Sequence, residues 1–400
     1  MTRKVFNIAA GMLLAILLIV VTTLAFAGLY DSPEYVRRLL TYGQSDLNDI
    51  YIFPERPILK GGAPSRLEQG ELITSNPVTW HTPDGQAHTA DLQEIIDRTD
   101  TRALIVIRDD RIIYEGYFND TTRESINTSF SSAKSFNSAL IGAALADGLI
   151  ESVDDSLIRY IPEISGRGFD DLTIRDLLLM STGIHYAEPP AILKPFGDDA
   201  LTYYSPDLRR AALLVRASGT PVGEAWHYNN YHPLLEGLLL ERVTGMAVAD
   251  YLQERFWQPM GAEFDASWSL DSEESGFEKM ESGINARAID YARFGMIFLH
   301  NGFWNGRQIL PESWVRESTS PEDAWEIPIF DPNLSAYYKY HWWGFNNPDG
   351  TYDYFASGRY GQYIYIAPRK NVVVVRLGGE PADYPVSWPR IIHNLVDQLE

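Results

Sequence analysis

The sequence predicts an α+β fold, in which an antiparallel sheet is built from both ends of the chain and a helical subdomain is inserted between its strands. Runs rich in β-branched and aromatic residues predict the strands, at 103–108, 111–118, 352–356, 360–368 and 371–377. Mostly helical patterns, joined by Pro and Gly loops, fill the stretch from about 150 to 315. Strands at both ends with helices between them imply one sheet assembled from both ends.

The first two strands and the helix that follows them have the clearest local signals. Asp109 and Asp110 stand between two β-branched runs, which predicts a hairpin. The stretch SAKSFNSALIGAALADGLI has a nearly all-apolar helical pattern that ends at Gly148. Because a helix that is apolar all round is usually buried, we expect this helix in the core.

Three parts of the chain differ in composition. Residues 1–30 are predicted to be a membrane anchor or signal segment. Residues 31–95 are rich in Pro, Gly and charged residues with few periodic patterns, which predicts a connector that wraps around the rest. Residues 96–400 are the predicted main domain, with the helical subdomain at about 150–315.

The N-terminal segment predicts export. Two basic residues precede an apolar run long enough to cross a bilayer, and acidic Asp31 and Glu34 follow it. This order favours a single-pass anchor in the inner (cell) membrane, with the bulk of the chain on the periplasmic or extracytoplasmic side. Cleavage at the Ala-Phe-Ala motif of residues 25–27 is the alternative and would release the protein to the periplasm. We favour the uncleaved anchor because the run is longer than a typical signal-peptide core.

The composition excludes several classes of partner and cofactor. A formal net charge of −21 argues against nucleic acid, because phosphate binding needs clustered Lys and Arg. The chain has no cysteine, which removes thiolate metal sites and a cysteine nucleophile. Its eight histidines are scattered without metal-ligand spacing. We therefore expect no metal and no cofactor.

Residues 129–136, SFSSAKSF, crowd serines around Lys134. A hydroxyl is a poor nucleophile without a positioned base, and lysine is the candidate base in this stretch. Residues three apart share one face of a helix, which favours Ser131 over Ser132 and Ser135. If Ser131 opens the helix, it also lies where an oxyanion is stabilised. The alternative is structural: Ser131 caps the helix and Lys134 is a solvated side chain.

Two later stretches contain residues suited to the same chemistry. Tyr228 and Asn230 form a Tyr-x-Asn pair, in which a phenol can pass protons and an amide can hold a lysine and a substrate carbonyl. The alternative is an aromatic loop in which Asn229 or Asn230 caps the next helix. The stretch ASGRYGQ, at 356–362, has glycines that indicate a close approach of another backbone or a ligand, or simply a β-turn.

This order of strand, Ser-x-x-Lys helix, helical insert with Tyr-x-Asn and strand with a Gly motif resembles the penicillin-recognising serine hydrolases, specifically the class C beta-lactamase-related family. The resemblance covers roughly residue 95 to the end and includes FSSAKSFNSALIGAALADGLI, GEAWHYNNYHPLLEGLLLERVTG and GQYIYIAPRKNVVVV. Within the family, the sequence looks most like the aminohexanoate-dimer hydrolase and esterase branch. The resemblance implies a beta-lactamase/transpeptidase-like fold and a serine hydrolase.

The resemblance also implies roles for the residues that match its motifs. Ser131 would be the acylated nucleophile and Lys134 its general base. Tyr228 would be the proton shuttle, and Asn230 would orient Lys134 and the substrate.

The third motif matches less well. The resemblance implies an oxyanion hole made by the N–H groups of Ser131 and Arg359, with Gly358 allowing the approach. Penicillin-recognising relatives have Lys-Thr-Gly or His-x-Gly here, whereas this chain has Ala356-Ser357-Gly358. Ala356 supplies no positive charge for the carboxylate of a β-lactam or a D-Ala terminus.

We therefore expect a hydrolase of small amides or esters that forms an acyl-enzyme. Two alternatives stay open on the sequence. One is a beta-lactamase or D,D-carboxypeptidase that acts on peptidoglycan-type substrates. The other is a non-catalytic, membrane-tethered binding protein of the same fold.

Overall fold

The structure is a computed structural model, and it describes residues 21–22, 31–71, 77–82, 85–190, 196–327, 335–379 and 387–399. The α-helices of these residues are α1 (Pro33–Tyr42), α2 (Leu92–Arg98), α3 (Ala133–Ala146), α4 (Ile174–Leu178), α5 (Asp198–Tyr204), α6 (Leu208–Leu213), α7 (Tyr231–Thr244), α8 (Val248–Leu252), α9 (Ala288–Leu299), α10 (Glu312–Thr319) and α11 (Trp388–Asp397). The strands are β1 (Glu55–Ile58), β2 (Glu68–Gln69), β3 (Val78–His81), β4 (Ala87–Ala90), β5 (Thr101–Arg108), β6 (Arg111–Tyr117), β7 (Asn127–Thr128), β8 (Ala266–Ser269), β9 (Ile284–Ala286), β10 (Phe303–Trp304), β11 (Arg307–Gln308), β12 (Trp325–Ile327), β13 (Ala336–Lys339), β14 (Trp342–Asn346), β15 (Tyr352–Gly358), β16 (Gln362–Ala367) and β17 (Val372–Gly378).

The main sheet contains nine strands of the described residues, in the order β12-β13-β14-β15-β16-β17-β5-β6-β2. Neighbouring strands pair antiparallel, except β2 and β6, which are parallel. The pairing of β17 with β5, which sets Val375 opposite Ile105, joins the two ends of the chain. The predicted fold class, a sheet from both ends with helices inserted between, is confirmed.

Both faces of this sheet are covered, which explains why the sequences of its central strands are continuous apolar runs. Along β5, Ile105 and Ile107 enter the core that contains α3, α7 and α9. Leu104 and Val106 enter the core beneath α11, because successive side chains of a strand point to opposite faces. The helix α3 packs against α7 and β15, so its nearly all-apolar surface is buried as predicted.

The segment 31–95 contains more regular structure than its composition predicted. The helix α1, the strand β1, the hairpin of β3 with β4 and the helix α2 lie within it. The strand β1 adds to a second sheet, in the order β1-β8-β9-β7, whose last strand leads into the turn that contains Ser131. The segment is thereby joined to the body of the protein, while the boundaries at 30 and 95 stay predictions.

The prediction of an inner-membrane location, with the membrane as a partner, is contradicted. Within the described ranges, the structure contains no helix with the length and apolarity that a bilayer crossing requires. A crossing takes about 20 apolar residues in a helix, whereas α3 and α7 have 14 residues each. Apart from Val21 and Thr22, the apolar run on which the prediction was based lies outside the described residues.

We predict that Gly142→Ala destabilises the protein, although alanine is the better helix former. Gly142 lies inside α3, and a Cβ there would be 2.3 Å from the ring of Trp314, which is itself buried. Overpacking of this kind costs about 1–3 kcal/mol, more than the gain of roughly 1 kcal/mol in helix propensity. Urea unfolding of both proteins measures the difference.

The matched control is Gly62→Ala, because a Cβ at Gly62 meets nothing within 4 Å. We expect this variant to stay within about 0.5 kcal/mol of the wild type. A Gly142→Ala protein as stable as the wild type would show that the contact between α3 and Trp314 is not close.

Candidate active site

A strained turn leads into the helix of the Ser-x-x-Lys motif. Residues Phe130–Ser132 form a 3₁₀ turn directly before α3. Phe130 has a φ of 43°, in the left-handed region that a bulky residue rarely adopts. The turn is fixed to β9, because Ser129 N–H donates to Ile284 O at 2.8 Å and Ile284 N–H donates to Ser129 Oγ at 3.1 Å. Ser131 is thus held, half-buried, at the N-terminal end of α3.

Ser131 and Lys134 are in direct contact. Lys134 Nζ donates to Ser131 Oγ at 3.0 Å and to the backbone oxygen of Glu281 at 3.1 Å. Lys134 is only 1% exposed. The alternative of a solvated lysine is therefore wrong, and a buried lysine is an expensive arrangement unless it is paired or used.

The other serines of the stretch are engaged elsewhere. Ser132 Oγ donates to Gln362 O at 2.9 Å, and Ser135 Oγ donates to His341 O at 2.8 Å. Both are buried and tie α3 to the main sheet and to the turn after β13. Ser131 is the serine whose hydroxyl lies against the lysine, as the three-residue spacing predicted.

Tyr228 lies over the same lysine. Lys134 Nζ is 4.9 Å from the centre of the Tyr228 ring, within the range of a cation–π contact. The Tyr228 ring also meets aromatic side chains, with Trp343 at 5.6 Å and Tyr338 at 6.0 Å between ring centres. The structure therefore brings Ser131, Lys134 and Tyr228 together.

Asn230 differs from the prediction. Its amide donates to Tyr186 Oη at 3.1 Å and to Thr202 Oγ1 at 3.2 Å, and the lysine partner is instead the backbone oxygen of Glu281. Asn230 is the residue before α7, so its side chain reaches toward α5 and the Tyr186 loop. A backbone carbonyl has no side-chain signature, which is why sequence reasoning missed Glu281.

The glycine of the third motif lies against the turn that leads to Ser131. A Cβ at Gly358 would be 2.2 Å from Ser129 O, so the end of β15 can approach this closely only with glycine. Arg359 follows, and its exposed side chain donates to Ser45 Oγ at 3.3 Å. Ala356 is fully buried. The positive charge of Arg359 is therefore turned toward the N-terminal segment.

Residues of the N-terminal segment border the site, which the sequence did not indicate. Tyr360 Oη donates to Ser45 O, and Tyr203 Oη donates to the carboxylate of Asp49. Burial raises the pKa of Asp49, although the bond from Tyr203 opposes this. The centre of the Phe53 ring lies 4.4 Å from Lys279 Nζ. Residues 45–53 thus contact both the turn after Gly358 and the loop before β9.

A buried ion pair lies in that loop, next to the lysine of the motif. Lys279 Nζ and Glu281 Oε1 are 2.9 Å apart, and both side chains are at most 2% exposed. Burial lowers the pKa of Lys279, and the carboxylate of Glu281 opposes this shift. Since Glu281 O also accepts from Lys134, the pair fixes the carbonyl that holds Lys134.

A sheet covered on both faces, with a half-buried serine against a buried lysine at the start of a central helix, is the arrangement of a beta-lactamase-like serine hydrolase. The sequence model of the beta-lactamase family matches residues 92–380. The chain belongs to the beta-lactamase family, and it is a hydrolase. The resemblance noted from the sequence is confirmed.

The comparisons agree with this assignment. The chain is 26% identical over 317 residues to a 6-aminohexanoate-dimer hydrolase of Paenarthrobacter ureafaciens, covering 74% of this chain and 77% of the relative. A solved structure with the description "Putative 6-aminohexanoate-dimer hydrolase from Bacillus anthracis" superposes with a TM-score of 0.72 at 24% identity, covering 88% of this chain and 91% of that one. A family VIII carboxylesterase superposes with a TM-score of 0.57 at 14% identity, covering 75% and 92%. Both superpositions show a shared fold.

We predict that Gly358→Ala lowers the reactivity of Ser131 by about 100-fold, because a displacement near 1 Å at a reacting centre has an effect of this size. The added Cβ would meet the backbone oxygen of Ser129, which cannot rotate away. The measurement is the rate of covalent labelling by a fluorophosphonate, with circular dichroism to confirm that the variant is folded. Wild-type reactivity in a folded Gly358→Ala protein would contradict the close approach.

Proposed function

We propose that the protein hydrolyses small amides or esters through an acyl-enzyme on Ser131. The observation that supports this most directly is the 3.0 Å contact between Lys134 Nζ and Ser131 Oγ in a buried setting. A serine hydroxyl becomes a nucleophile when a neighbouring base takes its proton. The proposal assigns the reaction to residues 96–400, with 31–95 as the wrapping segment.

In this mechanism, Ser131 Oγ attacks the acyl carbon while Lys134 accepts the hydroxyl proton. Tyr228 passes this proton from Lys134 to the leaving nitrogen or oxygen, so that the amine or alcohol departs neutral. A water molecule then attacks the acyl-enzyme, and its proton returns to Ser131 Oγ as the acid is released. The N–H groups of Ser131 and Arg359 are proposed to stabilise the oxyanion in both steps, beside Gly358.

The charges around the site favour amides and esters over β-lactams and D-Ala termini. The strand position that is lysine or histidine in penicillin-recognising relatives is Ala356, which is fully buried. The side chain of Arg359 is bound to Ser45 Oγ. The names of the relatives, a 6-aminohexanoate-dimer hydrolase and a carboxylesterase, fit a substrate chosen by its amide or ester rather than by a β-lactam ring.

We predict that a fluorophosphonate adds once to the protein and that Ser131→Ala alone abolishes the adduct. The reagent needs an activated hydroxyl, and the hydroxyls of Ser132 and Ser135 donate to backbone oxygens instead. Intact mass spectrometry of the wild type and of the three Ser→Ala variants measures the adduct. A folded wild type without an adduct would favour the non-catalytic alternative.

We predict that Lys134→Ala and Tyr228→Phe each slow hydrolysis by about 10²–10⁴-fold, the usual contribution of one acid–base group. Esters, amides and β-lactams are screened first, and the best substrate is then used for kcat and KM. The matched control is Lys339→Ala, because Lys339 is also buried but donates to Glu322 O, away from Ser131. A Lys134→Ala variant with normal kcat would contradict the role of the base.

A further inference from the structure

Three buried titratable side chains form a hydrogen-bonded chain behind Tyr228. Tyr338 Oη lies 2.8 Å from His341 Nδ1, and His341 Nε2 lies 2.6 Å from Glu236 Oε1. None of the three is more than 2% exposed. They come from β13, from the turn after it and from α7, and we name them the Tyr–His–Glu chain. The mechanism proposed above does not use them.

The direction of these hydrogen bonds follows from the burial of Tyr338. Burial raises the pKa of Tyr338 well above its usual value, so its hydroxyl stays protonated and donates to His341 Nδ1. The imidazole then carries its proton on Nε2 and donates to Glu236. Glu236 Oε1 is therefore the acceptor at the end of the Tyr–His–Glu chain. The second carboxylate oxygen of Glu236, Oε2, is buried without a hydrogen-bond partner among the residues that the structure describes.

The Tyr–His–Glu chain contacts both sides of the lysine–tyrosine pair. The edge of Tyr338 meets Tyr228 with ring centres 6.0 Å apart and planes at 85°. On the other side, Ser135 Oγ, one residue after Lys134, donates to His341 O at 2.8 Å. A movement of the Tyr–His–Glu chain would therefore move Tyr228 and the first turn of α3 relative to each other.

Other titratable side chains lie beside the Tyr–His–Glu chain. Burial and the nearby histidines and Lys134 lower the pKa of His232 well below its usual range, so His232 is neutral. His232 interacts with His341, His227 and Lys134, and the ring of Tyr228 meets Tyr338. Besides burial, the carboxylate of Glu236 raises the pKa of Tyr338, so its charge acts within a poorly screened interior.

We propose that Glu236, His341 and Tyr338 are positioning residues for the hydrolytic reaction, an inference that depends on the function proposed above. They fix the ring of Tyr228 over Lys134, and the carboxylate of Glu236 places a buried negative charge behind this pair. The charge makes it harder for neighbouring groups to lose a proton. The Tyr–His–Glu chain thereby sets the pH above which Ser131 is activated.

The test is the rate of fluorophosphonate labelling as a function of pH, measured on the full chain. We expect Glu236→Gln to label about tenfold more slowly than the wild type at its optimum pH. We also expect the acidic limb of its profile to shift to lower pH by about one unit, which corresponds to a tenfold change in the protonation equilibrium. Tyr338→Phe keeps the ring but removes the hydrogen bond to His341 Nδ1, so the Tyr–His–Glu chain is broken and we expect the limb to shift as well. Glu236→Asp keeps the charge and is expected to keep the wild-type limb.

Two residues provide matched controls outside the site. Glu278 is fully buried, has one arginine partner and also leaves Oε2 without a hydrogen-bond partner in the described structure. Tyr337 is the preceding residue of β13, is equally buried and donates its hydroxyl to Thr319 O at 2.5 Å. We expect Glu278→Gln and Tyr337→Phe to change stability without moving the pH profile.

The outcomes separate this inference from the proposed function. A labelled wild type whose acidic limb stays in place in both folded Glu236→Gln and Tyr338→Phe overturns the positioning role, even if labelling is slower. The same shift in Glu278→Gln would also overturn it. A folded wild type that takes no label at any pH would contradict the proposed function itself, because no serine would then be activated. If Glu236→Gln does not fold, Tyr338→Phe alone decides.

Discussion

The rest of the site depends on the burial of one lysine side chain. Lys134 is almost fully removed from water, which costs several kcal/mol unless its donors are satisfied. Among the described residues, it contacts Ser131 in the turn before α3, the carbonyl of Glu281 before β9, and the ring of Tyr228 before α7. These three groups come from different parts of the chain. The fold therefore satisfies this buried lysine and holds it against Ser131.

Close backbone contact is the second constraint, and it explains two unusual residues. Phe130 adopts a left-handed conformation directly before Ser131, and Gly358 brings the end of β15 against Ser129 O. The buried hydroxyls of Ser132 and Ser135 then fix α3 to Gln362 O and to the turn after β13. Strain and contact together hold the turn that contains Ser131 in one geometry.

The N-terminal segment is part of this geometry. Ser45 accepts from both Arg359 and Tyr360, and Asp49 accepts from Tyr203, while β1 extends the sheet that leads to the nucleophile turn. The composition of residues 31–95 predicted only a connector, because Pro, Gly and charged residues without periodicity give no local signal of long-range contact. The contacts instead depend on which distant residues the fold brings alongside.

The sequence by itself determined the order of strands and helices, the family and the three-residue spacing of Ser131 and Lys134, because these follow from local periodicity and from motifs. The tertiary structure alone decided which groups surround the lysine. Asn230 was expected beside it, yet the backbone oxygen of Glu281 takes that place, and the charge of Arg359 is turned onto Ser45. The Tyr–His–Glu chain likewise joins distant segments, because Glu236 and His341 are 105 positions apart. Such contacts are set by packing between distant segments, which no local pattern encodes.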